Sequence, residues 1–252
     1  MMTDTLHPNR HLKIEGAYNV RDLGGYPTHD GRRTRWKRFL RADSLHRLSS
    51  AGQAALIEYG LSTVIDLRRT RETEESPNVF AGSPDVAYHN HNMVGDTPLA
   101  RHPLEEEGTK RIAGSYRVFL DGRHPQICQI LTTLAAPGAV PAIYHCAAGK
   151  DRTGLISALL LGVAGVPEDI IAADYALSAR YLIVRYLTEF PPPEQSASDY
   201  TWEDYQAEFC PPEAMLMTLA HLTQRYGGID GYVRSIGLEP DAIGRLRAEL
   251  LE

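Results

Sequence analysis

Apolar residues along this chain fall in short, widely spaced runs before residue 100 and in longer, periodic runs after it. The segment LSTVIDLR at 61–68 follows Gly60 and is rich in β-branched residues, which predicts a short buried strand delivering Asp66 and Arg68 at its C-terminal end. VAYHNHNMV at 86–94 is a second strand candidate and AVPAIYH at 139–145 a third. AGQAALIEYG at 51–60 predicts a helix, capped by Ser49 or Ser50 and stopped by Gly60. The periodic stretch 109–136 gives one or two helices, broken near Gly122 or Pro125. Further on, LISALLLGVAG predicts a helix buried on most sides, and PEDIIAADYALSARYL another with Pro167 at its first position. FPPPEQSASDYTWEDYQ reads as a loop, and PEAMLMTLAHLTQRYGG and the last segment as helices. Near the N-terminus, Gly24-Gly25 marks a turn, and GRRTRWKRFLRADSL sets Trp36, Phe39 and Leu40 among positive charges as an early hairpin.

Strands thus come early and helices late, without an internal repeat, which predicts one α/β domain over residues 1–252. Against 26 basic side chains stand 32 acidic ones, a formal charge of -6, so no general affinity for nucleic acid is expected. Any anion must be met by local arrangement. Three cysteines, Cys128, Cys146 and Cys210, give neither a disulfide framework nor a zinc cluster. MMTDTLHPNRHLKIEG has no signal-peptide core, and no apolar run is long enough to span a bilayer. A cytoplasmic protein without integral membrane association is expected; export without a cleavable signal would leave no trace.

The candidate chemistry lies in HCAAGKDRTG, residues 145–154, between the third strand and the buried helix. A turn of small residues there lets successive N–H groups converge as an anion-binding nest, with the next helix adding partial positive charge. Cys146 sits at the base of this cradle, where the dipoles, Lys150 and Arg152 would stabilise a thiolate and make it a nucleophile. The guanidinium of Arg152 could curl back over the anion and match two phosphate oxygens bidentately. Thr153 could donate a hydrogen bond to the sulfur. A Walker A loop is excluded, because Tyr144 holds the first glycine position and Asp151 follows the lysine.

Residues 145–154 resemble the His-Cys-x5-Arg-Thr/Ser-Gly signature of the cysteine-based protein tyrosine phosphatase superfamily. The Gly-Lys-Asp-Arg-Thr-Gly form is similar to its atypical bacterial branch, the PtpB-type tyrosine, dual-specificity and phosphoinositide phosphatases. So are Asn19-Val20-Arg21-Asp22-Leu23-Gly24-Gly25, Arg41-Ala42-Asp43-Ser44-Leu45, Ile65-Asp66-Leu67-Arg68 and Tyr226-Gly227-Gly228. The resemblance implies an α/β, protein tyrosine phosphatase-like fold: a central, mostly parallel sheet flanked by helices, with C-terminal helices covering the active site. It implies a phosphocysteine on Cys146 that water cleaves, without metal or organic cofactor, and substrate binding by Ala147, Ala148, Gly149, Lys150, Asp151 and Arg152. The implied partner is a phosphorylated protein or peptide, with phosphoinositide lipids as a second substrate class met by Lys150 at the rim. Arg68 becomes a structural partner near the site. The superfamily's Trp-Pro-Asp acid loop is missing, which leaves Asp151, Asp66 and Asp96, in that order, as candidate general acids.

Blander readings stand beside these. His145 orients the loop through its backbone, and His89 and His91 on one strand face are packed or solvated rather than metal-bound. The basic run 32–41 is a solvated face or, more sharply, a contact for an anionic membrane. Two other functions stay open: a catalytically silent phosphate-binding module, and a cysteine-based arsenate reductase or sulfurtransferase.

Overall fold

The structure, a computed structural model, describes residues 7–95, 107–189 and 200–252. Strands β1 (Arg21–Asp22), β2 (Phe39–Ala42), β3 (Thr63–Asp66), β4 (Ala87–Asn90) and β5 (Ala142–His145) form one sheet in the order β1-β2-β5-β3-β4. Only β1 is antiparallel to its neighbour; β2, β5, β3 and β4 run parallel. The early hairpin exists, with its arms at β1 and β2 and a long excursion between them.

Several helices follow the predicted segments closely. α1 (Ser50–Glu58) is capped by Ser49, whose hydroxyl accepts from the Gly52 N–H. α3 (Gly108–Gly122) and α4 (His124–Leu134) are the two halves of the periodic stretch, divided at Arg123. α5 (Asp151–Val163) is buried at nearly every position. α9 (Pro212–Tyr226) ends on Gly227 at φ 77°, and α10 (Ile229–Ser235) and α11 (Pro240–Leu250) complete the chain. Among the described residues no helix is long and apolar enough to cross a membrane.

Three expectations need correction. PEDIIAADYALSARYL is two helices, α6 (Glu168–Ala176) and α7 (Ser178–Glu189), with Pro167 as cap rather than first residue. The break has a cause: the Arg21 guanidinium donates to the Asp174 carbonyl at 2.7 Å, taking the acceptor that would continue the helix. The end of the supposed loop is helix α8 (Trp202–Phe209), started by a reciprocal cap in which the Thr201 hydroxyl accepts from the Asp204 N–H and the Asp204 carboxylate accepts from the Thr201 N–H. A short polar helix, α2 (Thr70–Glu75), was not foreseen, because no apolar period marks it.

Alternation along the strands sorts two cores. Phe39, Ile65, Ala142 and Tyr144 face the larger one, with α4, α5, α6, α9 and α11, while Leu40, Val64 and Ile143 face the smaller, with Leu56 of α1. The register sets Asp66 beside His145 and Ala42 beside His145, so the loop leaving β5 emerges between the C-terminal ends of β2 and β3. Parallel sheets of this kind bind ligands at that edge.

Candidate active site

Cys146 follows β5 directly and is 2% exposed. What shapes the loop after it is the fate of its carbonyls. That of Ala147 accepts from the Ser44 N–H and from Arg185 of α7, both at 3.1 Å. Asn19 Nδ2 donates to the carbonyls of Ala148 and Gly149, at 3.1 and 3.2 Å. Arg41 Nη2 donates to Gly149 at 2.8 Å and reaches Lys150 at 3.5 Å. A trans peptide points its N–H opposite to its carbonyl, so with the carbonyls of 147–150 drawn outward, the N–H groups of Ala148, Gly149, Lys150 and Asp151 turn inward. That is the geometry of an anion nest at a helix N-terminus.

Gly149 is required in this path. Its φ is +67°, and a Cβ there would lie 2.3 Å from the Ala42 carbonyl oxygen.

Behind the loop stands a buried ionic network. Asp174 on α6 receives Arg41 Nη1 at 2.5 Å, Arg21 Nε at 3.1 Å and the Tyr26 hydroxyl at 2.8 Å. Burial alone would push this carboxyl up, but Arg21 and Arg41 hold it well below the usual carboxylate range. Arg21 also donates to the Asn19 side-chain oxygen, and Asp43 accepts from the N–H groups of Tyr18 and Asn19. Arg41, Asn19, Asp43 and Ser44 therefore act on the loop from the segments singled out by their likeness to the bacterial branch.

Arg152, in the first turn of α5, is clamped by Glu72 of α2: Nη1 to Oε2 at 2.8 Å and Nη2 to Oε1 at 3.0 Å. Nη1 also lies 3.4 Å from the Leu67 carbonyl. Of five guanidinium N–H groups, this leaves the Nε–H and one Nη2–H, a parallel fork on the other edge. Burial disfavours the Arg152 charge, but the neighbouring Cys146 sulfur and Glu72 outweigh it and raise the pKa above its ordinary value. Glu72 is pushed up by burial and pulled further down by Arg152, to below the usual carboxylate range.

Comparison with known proteins agrees with this loop. The sequence pattern of the tyrosine phosphatase family matches residues 12–252. A tyrosine-protein phosphatase of Nostoc commune is 30% identical over 221 residues, covering 84% of this chain and 74% of the relative. The triple specificity protein phosphatase PtpB of Mycobacterium tuberculosis is 27% identical over 286 aligned positions, covering 95% of this chain and 98% of the relative. The chain belongs to the tyrosine phosphatase family. It is a phosphatase, and the silent-module, reductase and sulfurtransferase readings give way to that.

Within this tyrosine phosphatase the candidate acids separate. Asp151 is half exposed, accepts a hydrogen bond from the Tyr116 hydroxyl at 2.5 Å and lies 3.6 Å from Lys150 Nζ. Tyr116 in turn bonds Tyr175 at 2.7 Å. Asp66 is fully buried, with Arg68 on both its oxygens at 2.7–3.1 Å and His145 Nε2 at 3.4 Å. Burial would raise its pKa, but His145 and Arg68 lower it. It therefore holds Arg68 and the strand end rather than facing solvent. Asp96 lies outside the described residues.

Other expected residues also change character. Lys150 is not an open rim charge: its side chain is 13% exposed, beside Asp151, with Nζ 5.3 Å from the Phe209 ring of α8. The Thr153 hydroxyl, buried, makes no hydrogen bond to the described residues, so the one expected to the sulfur is not formed here. His145 does orient the loop, with Nδ1 3.2 Å from the Cys146 carbonyl and Nε2 2.8 Å from Asn78. His89 and His91 stack on each other, and no group of metal-ligating side chains occurs among the described residues. Cys210 is buried against α6, which pushes its thiol up to about 12.

A cavity of about 580 Å³ opens beside Arg152 and Asp151. Val94, Ile112, Tyr116 and Phe119 give it an apolar wall, and Arg69, Arg71, Glu72 and Glu75 a charged one. The C-terminal helices reach the loop through Arg185 of α7 and Phe209 of α8.

Proposed function

We propose that this phosphatase hydrolyses phosphotyrosine through a phosphocysteine on Cys146, with Arg152 clamping the phosphoryl oxygens and Asp151 moving the proton. The observation that carries this reading is the outward capture of the loop's carbonyls, which leaves inward N–H groups and one edge of Arg152 for three phosphoryl oxygens. In the first step the Cys146 thiolate forms a bond to phosphorus as the bond to the tyrosine oxygen breaks, and that oxygen takes the Asp151 proton. In the second step water attacks phosphorus and gives a proton to the Asp151 carboxylate. The S–P bond then breaks, returning the thiolate and free phosphate.

Asp151 suits the proton role better than Asp66 because it borders the cavity, whereas Asp66 is buried and committed to Arg68. The similarity to a triple specificity phosphatase supports phosphoserine, phosphothreonine and phosphoinositide monoesters as further substrates. Leaving-group dependence tests the acid. In Asp151→Asn, kcat/KM for phenyl phosphate should fall by about 100-fold, and for a strongly activated aryl phosphate far less, since a good leaving group needs no proton. Equal losses on both substrates would remove Asp151 from the acid role.

A further inference from the structure

The cavity beside Arg152 has six charged side chains on its wall: Arg69, Arg71, Glu72, Glu75, Asp151 and Arg152. Five of them are spoken for. Glu72 holds Arg152, Glu75 holds Arg71 at 2.7 Å, and Asp151 is met by Tyr116 and Lys150. Arg69 alone among them has a side chain with no ion pair or hydrogen bond to the described residues, and it is exposed.

Its position is tied to the reaction centre. The Arg69 backbone N–H donates to Glu72 Oε2 at 2.9 Å, the oxygen that also accepts from Arg152 Nη1 at 2.8 Å. One carboxylate oxygen therefore links the backbone that carries Arg69 to the guanidinium that holds the phosphoryl group. Lys150, the other cation that could read a second negative charge, is withdrawn under Phe209 and does not line the cavity.

We infer that Arg69 is a specificity-determining residue that binds a carboxylate next to the phosphotyrosine of an acidic peptide substrate; the inference rests on the phosphatase reading above. The apolar wall of Ile112, Tyr116, Phe119 and Val94 favours an aromatic ring over a polyhydroxyl ring between the reacting phosphate and Arg69. A peptide lying along α2 then brings a neighbouring acidic side chain to the one cation of this wall whose side chain has no partner among the described residues. A planar guanidinium meets a carboxylate bidentately, and at an exposed site such a pair is worth a modest, salt-sensitive gain.

The test compares two phosphotyrosine peptides that differ only by Asp or Asn beside the phosphotyrosine, at low salt. The unaltered protein should prefer the Asp peptide by about five-fold in kcat/KM, and Arg69→Ala should bring that ratio to about one. Arg69→Glu should invert the preference in favour of a Lys-flanked peptide, a gain that misfolding cannot produce. A ratio near one in the unaltered protein, or one that survives in Arg69→Ala, overturns the inference. So does a larger loss in Arg69→Ala on a bisphosphorylated inositol headgroup than on the Asp peptide. Absence of turnover on every aryl phosphate by the unaltered protein would instead fail the phosphatase reading itself.

Discussion

The guanidinium of Arg152 has one edge turned to Glu72 and, in the proposed mechanism, the other turned to a phosphoryl group, and the two edges depend on each other. With Glu72 ionised, both of its oxygens accept and the guanidinium plane is fixed. Glu72→Gln would set an amide NH2 against one of the arginine donors, so the plane should rotate and the fork lose its aim. The expected outcome is a fall in kcat/KM of about 10- to 100-fold with the fold intact, read from initial rates alongside circular dichroism. Activity within about two-fold of the unaltered protein would show that the clamp does not orient Arg152. At this scale the sequence was most legible where the site is contiguous. Residues 146–152 lie in one run, and the chemistry of cysteine, glycine and arginine at that spacing announces an anion cradle. Glu72 lies 80 residues away from Arg152 on a short helix polar on all sides, so nothing in its neighbourhood marks it. Asp66 has the address of an acid, a carboxylate at the end of a buried strand, but the neighbouring Arg68 engages both its oxygens.

Elements rather than single residues hold the loop in shape. β2 contributes Arg41, the segment before β1 contributes Asn19, α6 contributes Asp174, and α7 contributes Arg185. Asp174 is the joint between α6 and the first two strands, since it neutralises Arg21 and Arg41, both fully buried. Removing its charge strands two guanidinium groups away from water. Asp174→Asn should therefore lower unfolding free energy by about 3 kcal/mol, measured as the shift of the urea midpoint at constant slope. A loss under about 1 kcal/mol would mean that water reaches these arginines and that the network does not tie the elements together. The strands β3, β4 and β5 and helices α1, α3, α4, α5 and α9 were legible because each carries a period, a cap or a glycine stop. The split between α6 and α7 was not, because its cause is Arg21, about 150 residues upstream and invisible to any local pattern. α8 is marked in the sequence only by its cap, Thr201 and Asp204, directly after a run of prolines and serines that reads as loop.

On the scale of the whole molecule, a mostly parallel sheet gathers the ends of β2, β3 and β5 at one edge, with helices packed on both faces. The N-terminal helix end at Asp151, the inward N–H groups and Arg152 then concentrate positive potential at one sulfur within a chain of net charge -6. In the proposed mechanism that sulfur takes the phosphoryl group. The direct measurement is rapid acid quenching of the protein during turnover of a radiolabelled phosphotyrosine peptide, followed by proteolysis and mapping of the label. One phosphoryl group should be found on the peptide containing Cys146, and none in Cys146→Ser, which should still bind vanadate but not turn over. Label on any other residue, or turnover by Cys146→Ser at the rate of the unaltered protein, would contradict the account.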